Sequence, residues 1–304
     1  MKIGVIGLGS IAQKAYLPVM MTEHPEIEWH LSTRNEEKLN AIGQQYRIDQ
    51  THLHTDWHEL INQKMDAVFI HTPTPTHAEI IEAMLSNNIP VLVDKPISDH
   101  LEETKAMLQL SKEQNTLLMT GFNRRFAPRV QELKAVSDKN MIYFQKNQVN
   151  QATLPARYRI YDMMIHPVDT ALHMIEGPVE VVDSGIVGNA DQLKRAWVIL
   201  ESAGAHIMVS VNAESGSRLE TMEVQSPSKT VRVENLADWT EYSEEGSFSK
   251  PFGDWEPTLH KRGFAPMIKT FLEAVQANSE NPVSLDSSLR SHEVCEAILE
   301  KAGL

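Results

Sequence analysis

Hydrophobic positions fall into two regimes along the chain. Up to residue 121, short apolar runs alternate with stretches of helical period; beyond residue 122, extended runs follow one another with little helix between them. The first regime predicts a strand from residue 3, a helix carrying Pro18 near its end, a strand at 28–32 and a helix at 36–46. Asp56-Trp57-His58-Glu59 has the form of a capping box opening a short helix, 66–71 reads as a buried strand and 77–86 as a helix. A strand at 91–93, a second capping box at Asp99-His100-Leu101-Glu102 and a strand at 116–120 continue the alternation. Strands separated by helices of this length predict a parallel, doubly wound α/β sheet over residues 1–121, because parallel neighbours need a crossover.

The second regime, 122–304, predicts an α+β domain with a large, open, mostly antiparallel sheet. Its helices are expected at 127–136 and 166–175, and its strands at 141–149, 179–187, 196–201, 206–212, 219–225 and 230–234. Two helices, 265–277 and 289–302, close this domain. Ile207, Val209 and Val211 alternate with Met208 and Ser210, so both sheet faces carry apolar residues. One face is expected to pack on helices and the other to join copies into a homodimer or homotetramer. Trp239, Phe252 and Trp255 lie in a Gly- and Glu-rich stretch read as loop with packing roles.

Charge narrows the partners. A net charge of −13 over 304 residues argues against nucleic acid and anionic membrane, both of which select a basic face. The single cysteine, Cys295, sits at helical spacing among apolar residues and reads as core, so a reduced, cytoplasmic protein is expected. No run reaches the roughly 18 apolar residues of a membrane span, and the start has no signal-peptide pattern. His52, His54, Asp56 and His58 invite a metal centre, but strand alternation should point them to opposite faces, and no metal is expected.

The candidate chemistry begins at Gly7-Leu8-Gly9-Ser10-Ile11-Ala12, between the first strand and its helix. Gly7 suits a tight turn, Gly9 permits close approach of a pyrophosphate, and Ala12 packs helix on strand, with Ser10 and Ile11 at the helix start. At the end of the second strand Ser32, Thr33 and Arg34 stand where an NAD-preferring chain carries an acid, so NADP is favoured and NAD possible. Lys95, after the strand at 91–93, emerges at the carboxyl edge, where it can polarise or protonate a substrate oxygen. Asp162 and His166, four residues apart, share a helical face and can shuttle a proton. Asn123, Arg124 and Arg125 follow another strand end, where the arginines can meet an anionic substrate group.

Order and spacing of these segments resemble the Gfo/Idh/MocA oxidoreductases, in particular the MviM-like branch. The resemblance covers essentially the whole chain and rests on four segments: the glycine turn, Thr72-Pro73 with His77, Asp94-Lys95-Pro96, and Asp162-x-x-x-His166-x-x-Asp169. It implies an N-terminal Rossmann domain that holds NAD(P), a C-terminal substrate domain, oligomers through the second sheet, and Lys95, Asp162 and His166 as the catalytic set. Thr72, Pro73, Thr74, His77 and Asp94 are implied to border the cofactor, with Thr74 where an Asn is frequent. Met164 replaces a frequent glycine, and Tyr158 or Tyr161 is then expected to line the substrate pocket. The activity implied is hydride transfer between nicotinamide and a secondary alcohol or carbonyl of a small sugar, cyclitol or related polyhydroxy compound. A noncatalytic cofactor-binding sensor of the same fold is the alternative.

Overall fold

The computed structural model describes residues 1–202 and 204–304. They form two compact units, 1–121 with 264–289, and 122–263 with 290–304.

The first unit contains a six-stranded parallel sheet: β1 (Lys2–Ile6), β2 (Glu28–Ser32), β3 (Leu53–His54), β4 (Ala67–Ile70), β5 (Val91–Asp94) and β6 (Leu118–Gly121). The spatial order β3-β2-β1-β4-β5-β6 reverses between β1 and β4, the switch point where doubly wound sheets hold ligands. The central strands are apolar on both faces because helices cover both: Ala67, Val68, Phe69 and Ile70 are all fully buried. The helices α1 (Leu17–Glu23), α2 (Glu36–Tyr46), α3 (His58–Asn62), α4 (His77–Ser86) and α5 (Leu101–Glu113) supply the crossovers.

Three details depart from the sequence reading. Pro18 lies within an unbroken helical stretch over 10–23 rather than near its end: a widened π-type turn at Ala12–Tyr16 leads into α1, whose first turn holds Pro18; a proline has no N–H to continue a regular ladder, and the wide turn absorbs the loss. The start of α5 is fixed by Ser98 rather than Asp99: Ser98 Oγ accepts from His100 N at 3.1 Å and donates to Glu103 at 2.6 Å. The helix expected at 265–277, α10 (Phe264–Ala277), belongs to the first unit and not to the second domain. Its aromatic face explains this: Phe264 stands edge-on to Tyr16 at 5.3 Å and Phe271 edge-on to Phe69 at 5.0 Å, completing the first core.

The second unit is built on an eight-stranded sheet. Its strands are β7 (Met141–Asn147), β8 (Val179–Asn189), β9 (Gln192–Ser202), β10 (Ala205–Asn212), β11 (Glu220–Gln225), β12 (Thr230–Glu234), β13 (Asp238–Ser243) and β14 (Gly246–Lys250). The order is β14-β13-β12-β11-β7-β10-β9-β8, antiparallel except where β7 runs with β10. β13 and β14 occupy the stretch read as loop; their polar, largely exposed sequences give little apolar alternation to detect. On β10, Ile207, Val209 and Val211 face the core while Met208 is 45% exposed, as the alternation predicts. The shorter helices of this unit are α6 (Pro128–Lys134), α7 (Ala156–Arg159), α8 (Ile165–His173) and α9 (Thr258–Lys261), with a second π-type turn at Ile160–Met164 between α7 and α8. α11 (Leu285–Lys301) closes the chain.

The histidine-rich segment is not scattered by alternation as expected. Pairing of β3 with β2 brings His54 Nε2 to 3.1 Å from His30 Nδ1, and His52 stacks on His30 at 4.2 Å between ring centres. Glu28, His30 and His52 present ligand-type atoms within 4.8 Å of one another. His30 also meets Glu28 and His54 meets Glu59, so both ring nitrogens of each are engaged and the cluster stands as a hydrogen-bonded relay.

Candidate active site

In the first unit a cleft of about 410 Å³ opens at the switch point. Gly7, Gly9, Ser32, Thr33, Arg34, Thr72 and Pro73 all line it. Gly7 has φ +92°, and a Cβ there would lie 2.7 Å from Thr72 N, so the turn tolerates only glycine. Gly9 differs: a Cβ would meet only His71 O at 3.9 Å, so its missing side chain leaves open space beside the backbone. That open cradle is what a pyrophosphate needs. Ser10 and Ile11 are exposed at the start of the turn, whereas Ala12 is fully buried and packs the turn on the sheet.

The cleft residues that the sequence reading did not assign to the site include Lys38, Thr55, Trp57 and His71. Lys38 adds a cation beside Arg34, and Asn35 Oδ1 accepts from Lys38 N at 2.8 Å to start α2 there. His71 is buried with neither ring nitrogen hydrogen-bonded, and its ring lies 3.9 Å from that of Tyr16. Burial, with the nearby His77, brings its pKa down to about 3, so it is a neutral polar group facing the cofactor cleft. An orphaned buried imidazole and an empty glycine cradle both fit a nicotinamide dinucleotide.

His77 has a bracing role. Its ring bridges Thr72 O at 2.8 Å and Pro96 O at 2.9 Å, linking the turn that bears Thr72, Pro73 and Thr74 to the turn that bears Lys95. Tyr16 donates to Asp94 Oδ1 at 2.9 Å; burial, reinforced by the Asp94 charge, pushes its phenol well above the usual range. Lys95 follows at the carboxyl end of β5, half-buried.

In the second unit the expected substrate arginine is spent inside the protein. Arg124 is 3% exposed and grips Glu220 through two nitrogens, Nη2 to Oε2 at 2.8 Å. Its remaining terminal nitrogen, Nη1, lies 2.7 Å from His166 Nδ1. Lys146 Nζ donates to the same carboxylate at 3.2 Å. Burial pushes the Glu220 carboxyl up, but Arg124 and Lys146 outweigh it and hold the group well below the usual range. Burial and the Arg124 charge bring Lys146 down to about 8. Arg125 is likewise internal, paired with Asp169 at 2.6 Å, and Ser291 donates to that carboxylate at 2.8 Å.

The other expected substrate residues divide between positioning and surface. Asn123 is buried, and its Nδ2 donates to Arg262 O at 2.7 Å. Gly263, φ +80°, permits this close approach, since a Cβ there would collide with the Asn123 carbonyl. Tyr161 is buried and donates to Glu296 at 2.6 Å, so it does not present its hydroxyl as expected of a pocket residue; burial and Glu296 push its pKa up. Tyr158 remains 46% exposed. Asp162 lies 3.8 Å from Arg159.

This is the architecture of a nicotinamide-dependent oxidoreductase with a Rossmann half and an open-sheet half, and comparison with known proteins agrees. Residues 1–122 match the family described as "Oxidoreductase family, NAD-binding Rossmann fold", and residues 109–244 match the "YceM-like, C-terminal domain". The chain belongs to the Gfo/Idh/MocA family, in its MviM-like branch, and is an NAD(P)-dependent dehydrogenase. It is 30% identical to a dehydrogenase (MviM) from Clostridium difficile, with a TM-score of 0.93 over 99% of each chain. YceM of Salmonella typhimurium, named an oxidoreductase, is 27% identical over 99% of this chain and 98% of that one. The myo-inositol 2-dehydrogenase of Thermotoga maritima is 26% identical over 93% of this chain and 91% of its own. Among the described residues no helix is long and apolar enough to cross a membrane.

Proposed function

We propose that the protein interconverts a secondary alcohol and its carbonyl in a polyhydroxy compound, using NADP(H) in preference to NAD(H). The observation that carries the division of labour is the contact of Arg124 Nη1 with His166 Nδ1 at 2.7 Å. A guanidinium only donates, so Nδ1 must accept and the ring proton resides on Nε2. His166 is then a fixed hydrogen-bond donor that stabilises charge on the substrate oxygen; it has no place for a second proton without setting N–H against N–H. The proton therefore moves through Lys95, which takes it from the hydroxyl in oxidation and returns it in reduction. A bound nicotinamide supplies or accepts the hydride. Gly7, Gly9 and the turn at Ser10 and Ile11 hold its pyrophosphate, and His71 offers the cofactor a neutral hydrogen-bond partner.

The cofactor preference rests on Ser32, Thr33, Arg34 and Lys38, two hydroxyls and two cations at the end of β2, where a 2′-phosphate needs donors. Arg34→Ala should weaken NADPH by about tenfold and leave NADH nearly unchanged, because one charge-assisted contact is worth about 1.5 kcal/mol or more. Tighter binding of NADH than of NADPH by the unaltered chain would reject the preference. Lys95→Ala should abolish NADPH oxidation against a panel of keto-sugars and keto-cyclitols; full turnover in that variant would reject the role of Lys95.

We further propose that the exposed face of the second sheet joins two or four copies. Trp197, Met208 and Tyr143 border a shallow groove of about 300 Å³ on that face. A chain with one cysteine, and that one buried, gains nothing from an oxidising compartment, and the cytoplasm is the location we favour.

A further inference from the structure

The buried charges of the second unit do not balance. Around the Glu220 carboxylate stand Arg124, Lys146 and Arg262, three cations against one acid. Lys146 feels the positive charge of Arg124 and of Arg262, Arg262 feels that of Arg124, and Glu220 is the one acid that acts on both. Among the described residues no carboxylate pairs with the Arg262 guanidinium, which is half-buried. In a protein of net charge −13 this is a pronounced local exception. Gathering three cations around a single carboxylate costs free energy, and a site that tolerates the cost is suited to receive a further anion.

These groups border a polar cavity of about 530 Å³, within the ordinary size range of small-molecule sites. Lys146, Arg262 and Glu220 line it, Arg218 stands exposed at its rim, and Asn147 and Gln148 add amide groups. Asn147 supplies a second, independent sign of a ligand: its Oδ1 is buried without a hydrogen-bond partner, while its Nδ2 is satisfied by Gln145 at 3.1 Å. A buried acceptor with nothing to accept from is suited to a ligand hydroxyl. Glu220 cannot repel an anion here, because Arg124 and Lys146 already neutralise it.

We propose that this cavity binds the anionic end of a polyhydroxy compound, a carboxylate or phosphate held by Arg262 and Lys146, with a hydroxyl donated to Asn147 Oδ1. Calling that compound the substrate rests on the proposed function; the binding site does not. Arg124, the arginine that the sequence suggests for an anion, is instead the internal strut that ties the cavity wall to His166.

The test is calorimetric titration of the full chain, at one fixed ionic strength, with D-glucose, D-gluconate and D-glucose 6-phosphate. At least one anion should bind about tenfold or more tighter than glucose, and Arg262→Gln should remove about that factor, the worth of one charge-assisted contact. Whether gluconate or the phosphate gains more identifies the anionic group. Lys146→Met serves as the second variant, so that misfolding of one, visible as a lowered melting temperature, does not decide the result. Binding of glucose as tightly as both anions, no binding of either anion, or anion binding unchanged in both variants overturns the proposal. Anion binding with the expected losses but no NADPH oxidation by any polyhydroxy carbonyl leaves the site standing and rejects the proposed polyhydroxy substrate. Turnover of neutral polyols without anion preference does the reverse.

Discussion

The two units build their sites from opposite materials. The first holds its cofactor cleft open with backbone and missing side chains: Gly7 at φ +92°, Gly9 with open space beside it, and N–H groups at the start of the following helical turn. The second fills its interior with charge, Arg124 on Glu220, Arg125 on Asp169 and Arg129 on Glu132, all three arginines buried. A backbone cradle is generic and can serve any dinucleotide; a network of buried charges is particular, and fixes one tautomer and one local field. On the proposed function, the first serves recognition of the common cofactor and the second selection of the substrate.

Glu220 holds the charge network of the second unit together. Glu220→Gln leaves Arg124 and Lys146 without their counter-charge and should destabilise the protein by about 3–5 kcal/mol, read from urea unfolding. A loss below about 1 kcal/mol would mean the network carries little of the second unit's stability. Next come the two glycines, which separate folding from binding. Gly7→Ala meets both a positive φ and Thr72 N at 2.7 Å, and should cost about 1–3 kcal/mol of stability as well as NADPH binding. Gly9→Ala, with only His71 O at 3.9 Å, should keep its melting temperature and lose NADPH affinity; equal damage from both would remove the distinction.

A smaller effect is expected from pH. The Lys146 pKa falls from 10.5 in the unfolded chain to about 8 in the folded one. Between those values the unfolded chain binds the extra proton, so this group makes stability rise with pH from about 8 to 10.5. Lys146→Met should flatten that part of the stability profile, and an unchanged slope would assign it to other groups.

Legibility in the sequence follows the same division. The glycine turn and Lys95 announce themselves because their chemistry is local, a strand end and the residues after it. Glu220 is 96 residues from Arg124 and 74 from Lys146, and no spacing rule joins an acid on β11 to a strand on one side and a turn on the other. His71 escaped for a different reason: as the residue after an apolar strand it reads as part of that strand. The helix at 264–277 was visible from its period, but its attachment to the first unit depends on Tyr16 and Phe69, which only the folded chain brings to it. β13 and β14 lacked an apolar face to reveal them.

The claim that a buried guanidinium sets the role of the active-site histidine is tested most directly by nitrogen-15 NMR of the histidine side chains, with the His166 signals assigned by His166→Gln. His166 should show a single neutral tautomer at pH 7, with Nε2 protonated and Nδ1 a bare acceptor, and should lose that bias in Arg124→Met. A proton on Nδ1 of His166, or a tautomer indifferent to Arg124, would contradict it and return the proton-carrying role to the imidazole.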